Sequence, residues 1–122
     1  MNIRGIEVEF DFLDADDVER FEKEASEVKR LCQERGTVEM SGSQMIREEC
    51  QIINNFFDKV FGEGMSEKMF KGKNNLGDHI KAFEDIVNEK IKKQQGLQET
   101  YNRYQPNREQ RRHNQFKKGN RR

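Results

Sequence analysis

Large apolar side chains are concentrated in the first part of this 122-residue chain, and this distribution limits where a core can form. A polar segment cannot bury enough surface to offset a conformational entropy cost of about 1–2 kcal/mol per residue. The sequence therefore predicts a folded domain over residues 1–95. Residues 96–122 are predicted to be a helix extension that frays into a disordered basic tail. Beyond Gly96 the large apolar or aromatic side chains are Leu97, Tyr101, Tyr104 and Phe116.

Charge follows the same division. The chain has 23 basic and 23 acidic residues, of which eight basic and two acidic residues lie from Gly96 onward. The tail therefore carries a net charge of +6 and residues 1–95 carry −6. No apolar run approaches the roughly 18 residues that a membrane span needs, and the charged N-terminus is unlike a signal peptide. We therefore expect a cytoplasmic protein with no membrane partner.

Apolar and acidic residues alternate near the N-terminus, which indicates a β-strand over residues 6–12. Gly5 separates this run from Ile3 and favours a bulge or tight turn. The sequence offers no second convincing strand. Either a short hairpin forms here, or the strand pairs with another chain, which would produce self-association. The apolar face of the strand would carry Ile6, Val8, Phe10 and Phe12.

Apolar residues spaced three and four apart predict two long helices in the first half of the chain. The first begins after Asp14, which can act as an N-cap, and ends at Gly36. Its apolar positions are Val18, Phe21, Ala25, Val28, Leu31 and Cys32. The second begins after Ser41 or Ser43, ends at Gly62, and has a broad apolar face typical of a central helix. That face carries Ile46, Cys50, Ile53, Phe57, Val60 and Phe61, with Met45, Ile52 and Phe56 beside them.

A short helical turn over residues 66–71, closed by Gly72, precedes a third long helix that begins near Asn74 or Asn75. The predicted apolar positions of this third helix are Leu76, Ile80, Phe83, Ile86, Val87 and Ile91. The fold class is therefore mainly α (α+β): an N-terminal strand or hairpin, three long helices and one short helical turn.

The sequence presents no convincing catalytic or metal-binding constellation. His79 and His113 have no cysteine, histidine or carboxylate partner at metal-ligand spacing, so each is interpreted as a surface or helix-packing residue. Cys50 lies in an apolar stripe, where burial keeps a thiol protonated. The chain has two cysteines, Cys32 and Cys50, which are too few for a disulfide scaffold. We expect a protein that is not an enzyme and that has no cofactor and no bound metal.

The basic tail is the one ambiguous feature of the sequence. Its positive and aromatic residues could follow a nucleic-acid backbone and stack on bases. The tail could equally contact the acidic surface of its own domain, contact another acidic protein, or be merely solvated. The candidate contact residues are Arg103, Arg108, Arg111, Arg112, Lys117 and Lys118.

Three stretches of the chain resemble a family of small proteins encoded by prophages of Gram-positive bacteria, in the tail morphogenesis region. The first is IEVEFDFLDADDVERFE at residues 6–22, and the third is YNRYQPNR at residues 101–108. The second covers residues 56–87, and its residues 56–76 carry the most specific pattern, F-F-D-x-V-F-G-E-G…K-x-F-x-G-K-x-N-L. The members of that family are uncharacterised, so the resemblance assigns no site residues.

The resembled family is similar in size and genome position to the tail assembly chaperones of long-tailed phages. Those chaperones bind the tape measure protein and recruit the tail tube subunit, and they are not enzymes. The resemblance implies an interaction protein that binds tape measure and tail tube proteins in the cytoplasm of a bacterial host. The alternative is a nucleic-acid-associated phage accessory protein that acts through its basic tail.

Overall fold

Helices and a small N-terminal hairpin make up the part of the chain that the computed structural model describes, residues 1–35 and 39–104. The mainly α fold class, with a short hairpin, three long helices and one short helix, is confirmed. The tail beyond residue 104, which was predicted to be disordered, lies outside the described residues. The elements in chain order are β1 (Asn2–Ile3), β2 (Ile6–Glu7), α1 (Ala15–Arg35), α2 (Gly42–Phe61), α3 (Met65–Phe70) and α4 (Leu76–Tyr104).

The N-terminal strand pairs within its own chain. β1 and β2 are antiparallel, with Ile3 opposite Ile6, and the turn between them places Gly5 at a φ of +84°. The predicted strand over residues 6–12 is wrong in length, because only Ile6–Glu7 has a partner strand. Beyond this pair, Met1 and Val8 exchange two hydrogen bonds: the Val8 nitrogen donates to the Met1 carbonyl at 2.8 Å, and the Met1 nitrogen donates to the Val8 carbonyl at 3.0 Å. The predicted alternation nevertheless continues, since Phe10 and Phe12 are buried.

The ends of α1 and α2 are set by the predicted local signals. The Asp14 carboxylate accepts a hydrogen bond from the Asp17 nitrogen at 3.1 Å, and Ser41 Oγ accepts one from the Gln44 nitrogen at 3.2 Å. The Gly62 nitrogen donates to the Asp58 carbonyl at 3.1 Å and ends α2. The predicted stop of α1 at residue 36 lies outside the described residues.

Helix α2 is central, as predicted, because it contacts α1, α3 and α4. Phe56 and Phe57 are almost completely buried and belong to a cluster of aromatic rings that meet edge to face. The first turns of α2 differ from the prediction, since Met45 and Ile46 are exposed. The residue of α2 that bonds to His79 of α4, Asn54, lies about two turns further along the helix.

The core-facing side of α4 agrees with the prediction at Leu76, Phe83, Ile86 and Val87 and differs at Ile80 and Ile91, which are 44% and 47% exposed. His79 and Ala82 are buried in addition. His79 is fully buried against Phe70, with their ring centroids 3.7 Å apart, and takes the core position that the periodicity gave to Ile80. Helix α4 then continues through Gly96 to Tyr104, and its residues from Ile91 to Tyr104 are all exposed.

A chain that ends at Gln95 is expected to unfold cooperatively at nearly the same temperature as the full chain. Among the described residues the last buried one is Ile86, so the truncation removes no core contact. We expect the midpoint of thermal unfolding to change by less than about 4 °C, which corresponds to under about 1 kcal/mol in a domain of this size. Loss of the cooperative transition would contradict the boundary at residue 95.

Candidate interaction surfaces

The structure describes only one of the predicted tail contacts. Arg103 lies in the exposed last turn of α4, where it follows Tyr101 and precedes Tyr104. The other candidates lie outside the described residues, as does His113, and their contacts stay predictions. Those residues are Arg108, Arg111, Arg112, Lys117 and Lys118.

A cleft of about 630 Å³ lies between the hairpin and α4. We call it the hairpin–α4 cleft. Its apolar lining consists largely of buried side chains, and its charged lining includes both acidic and basic groups. Such a surface suits a segment that combines apolar side chains with charges of both signs. The apolar lining includes Ile3, Phe10, Phe12, Ala82 and Ile86, and the charged rim residues are Arg4, Asp11, Asp85, Glu89 and Lys93.

Sequence analysis missed the hairpin–α4 cleft because its two walls come from opposite ends of the domain. The available signals were local ones: the alternation of Phe10, Asp11 and Phe12, and the helical spacing of Ala82 and Ile86 against Asp85. Each pattern shows one apolar face beside acidic residues. Neither pattern shows that the two faces lie next to each other.

Arg4 and Asp78 join the hairpin to the first turn of α4. The guanidinium donates two hydrogen bonds to the carboxylate, Nη2 to Oδ1 at 2.7 Å and Nη1 to Oδ2 at 3.2 Å. The same guanidinium lies over the Phe70 ring, 5.5 Å from its centroid. These bonds hold the pKa of Asp78 below its usual value. The ion pair thus fixes the hairpin near one end of the hairpin–α4 cleft.

We expect the Arg4–Asp78 pair to contribute about 1 kcal/mol or less, because the Asp78 side chain is 46% exposed and solvent screens the attraction. The pKa of Asp78 is lower in the folded than in the unfolded chain, so this stabilisation is present above the unfolded value near 4. The stabilisation is lost as the pH falls through the pKa that Asp78 has in the folded chain. Urea unfolding between pH 7 and pH 2 should show a difference in the free energy of unfolding between wild type and Asp78→Asn. That difference should disappear at pH 2. A difference that persists at pH 2 would contradict this assignment.

The last turns of α4 form a second candidate surface. Leu97, Tyr101 and Tyr104 are 44%, 57% and 82% exposed, and their spacing of four and three places them along one stripe. We call these three residues the α4 stripe. Leu97 follows the buried Ile86 by 11 positions, about three turns, so the stripe continues the face of α4 that packs on the core. An exposed apolar stripe of this kind is a candidate contact surface for another polypeptide.

His79 and Cys50 are buried side chains that can titrate. His79 Nδ1 lies 2.7 Å from the carbonyl oxygen of Asn75, and Nε2 lies 2.9 Å from the side-chain amide of Asn54. His79 is therefore a helix-packing residue, which is one of the two roles predicted for it. Burial raises the pKa of the Cys50 thiol, as expected for a cysteine in an apolar stripe.

Metal-ligating side chains are scattered in the described part of the structure. Within residues 1–35 and 39–104, no three or more His, Cys, Asp or Glu residues are grouped so that they could hold a metal ion. In the same residues, none of the helices combines the length and apolar content that crossing a bilayer requires.

Comparison with known proteins gives one match. No curated protein and no solved structure matches the chain. A protein-family model matches residues 4–115, which include β2, the four described helices, the α4 stripe and part of the basic tail. The chain therefore belongs to the family of unknown function DUF6673.

Proposed function

We propose that this protein is an interaction protein of the tail assembly chaperone type, which binds tape measure and tail tube proteins during phage tail assembly. One observation carries the interaction role: α4 extends about 27 Å beyond the last buried residue, Ile86, and carries exposed apolar side chains. The sequence resemblance to prophage proteins supports the choice of partner. In this proposal the protein acts by covering apolar surface and catalyses no reaction.

The two candidate surfaces suit an elongated helical partner. The hairpin–α4 cleft includes Glu89 and Lys93, and the α4 stripe begins one turn later at Leu97. A helix laid along α4 could therefore contact both surfaces without a break. The mixed charges of the cleft favour a partner whose apolar face is flanked by charged side chains of both signs. A tape measure protein, which is long and helical, offers repeated faces of this kind to many copies of a small binder.

Co-expression with the tape measure protein of the same genome tests this proposal. A tagged wild-type chain should retain that protein in the soluble fraction and co-purify with it. The double variant Leu97→Ala/Tyr101→Ala should co-purify at least tenfold less tape measure protein than wild type, because it removes two side chains of the α4 stripe. The matched control is Gln95→Ala/Asn102→Ala, which changes two exposed polar residues of the same helix segment. Equal recovery of both double variants, or no recovery with wild type, would overturn the proposal.

Nucleic-acid binding is the second candidate function. It is favoured by the exposed Arg103 between two exposed tyrosines on α4, since arginine and tyrosine contact phosphates and stack on bases. If this function holds, the purified chain should carry absorbance at 260 nm that high salt removes. Arg103→Ala and Tyr104→Ala should then weaken binding to single-stranded DNA. No tape measure protein should co-purify.

A further inference from the structure

Helix α4 consists of a packed part and an unpacked part. Lys90 is the last of its residues that is not exposed, and its Nζ lies 3.8 Å from Glu22 Oε2 and 5.3 Å from the centroid of the Phe21 ring. Every residue from Ile91 to Tyr104 is exposed, and among the described residues no ion pair involves this part of α4. Because tertiary packing supplies most of the stability of protein helices, these last turns depend on their own helix propensity.

Gly96 lies in the middle of the unpacked part of α4. A Cβ atom built on it meets nothing within 4 Å, and it is not among the residues of positive φ, so neither space nor backbone conformation requires a glycine there. Glycine in a helix interior lowers the equilibrium constant for the helical state about fivefold relative to alanine, which corresponds to about 1 kcal/mol. Gly96 therefore weakens α4 where no packing supports the helix.

The residues that follow Gly96 do not compensate for it. Thr100 Oγ1 donates a hydrogen bond to the Gly96 carbonyl oxygen at 3.0 Å, and such a bond to the preceding turn slightly destabilises a helix. Half of the residues in 97–104 are of types that rank well below alanine in helix propensity. Those residues are Thr100, Tyr101, Asn102 and Tyr104. A helix that continues past Gly96 is therefore marginally stable in the free chain.

We propose that α4 beyond Gly96 is a conditional helix: residues 97–104 are helical in about half of the free molecules or fewer, and a bound partner completes the helix. The α4 stripe depends on this equilibrium, because Leu97, Tyr101 and Tyr104 lie along one side only while the segment is helical. In the open state the three side chains share no common face. The stripe is thus a contact surface that forms fully only on binding.

The effect of this equilibrium on binding rests on the proposed function. A partner that contacts all three side chains of the α4 stripe binds only the helical fraction, so its apparent affinity falls in proportion to that fraction. Gly96→Ala should raise the affinity about two- to fourfold, because it enlarges the helical fraction and leaves the stripe unchanged. Gly96→Pro should lower the affinity, because proline has no N–H to donate to the Lys92 carbonyl and clashes with it.

NMR of the purified full-length chain tests the equilibrium without a partner. The ¹³Cα chemical shifts of residues 97–104, relative to random-coil values, should average less than about half of those of residues 79–90. Gly96→Ala should raise them about two- to fourfold, and Gly96→Pro should bring them close to random-coil values. The matched control Lys92→Ala replaces one strong helix former by another and should change them less than about 1.5-fold. Unchanged shifts of residues 79–90 show that each variant is folded.

Two NMR results would overturn the proposal. One is a wild-type shift average for residues 97–104 above about half of that for residues 79–90. The other is an effect of Gly96→Ala no larger than that of Lys92→Ala. Co-purification with the tape measure protein separates this proposal from the proposed function. If wild type retains no tape measure protein, the proposed function fails and the NMR comparison still decides the equilibrium. If Gly96→Pro retains as much as wild type, binding needs no helix beyond Gly96 and the proposal is overturned.

Discussion

Replacing Phe57 by alanine is expected to lower the free energy of unfolding by about 3–5 kcal/mol. Phe57 is fully buried on the central helix, and its ring lies 5.3 Å from the Phe56 ring and 5.9 Å from the Phe70 ring, centroid to centroid. Truncation removes both ring contacts, of which the one with Phe70 joins α2 to α3. It also leaves a cavity that the surrounding helices cannot close. Urea unfolding followed by circular dichroism measures the loss.

Ile46→Ala is the matched control for Phe57→Ala. Ile46 lies on the same helix and was also predicted to face the core, but it is 36% exposed. Its truncation should cost less than about 1 kcal/mol. Comparable losses for the two variants would mean that the first turns of α2 are as well packed as its centre. A loss under about 1 kcal/mol for Phe57→Ala would mean that α2 is not the centre of the core.

Local signals in the sequence were sufficient for the element order. Asp14, Ser41 and Gly62 set helix ends through hydrogen bonds to residues only three or four positions away. Such contacts depend little on the rest of the fold, so they could be predicted. The alternation of residues 6–12 also predicted which side chains turn inward, although the strand itself ends at Glu7.

Features that depend on distant segments could not be predicted. The strand pairs with β1 only at Ile6–Glu7, and the cleft exists because that hairpin packs beside α4. The burial of His79 in place of Ile80 on α4 was not predicted, for a related reason. Hydrophobic periodicity assigns a histidine to the surface unless its hydrogen-bond partners are known, and the partner of His79 on α2, Asn54, is 25 residues away.

His79→Ala is the variant that tests the buried face of α4. The Asn75 carbonyl can only accept, so His79 Nδ1 donates to it across 2.7 Å. Its Nε2 lies 2.9 Å from Oδ1 of Asn54, so the same ring also contacts α2. Alanine would remove both bonds and the stacking on Phe70, and it would leave the Asn54 amide without this partner.

We therefore expect His79→Ala to lower the free energy of unfolding by about 2–4 kcal/mol, from a cavity together with an unsatisfied polar group. Ile80→Ala, at the next position of the same helix, should cost less than about 1 kcal/mol because Ile80 is 44% exposed. Urea unfolding of both variants at pH 7 measures the difference. Hydrophobicity alone predicts the opposite order, since isoleucine is the more apolar residue. If Ile80→Ala proved the more damaging, the face of α4 that packs against α2 would be the one predicted from periodicity, and His79 would not be a core residue.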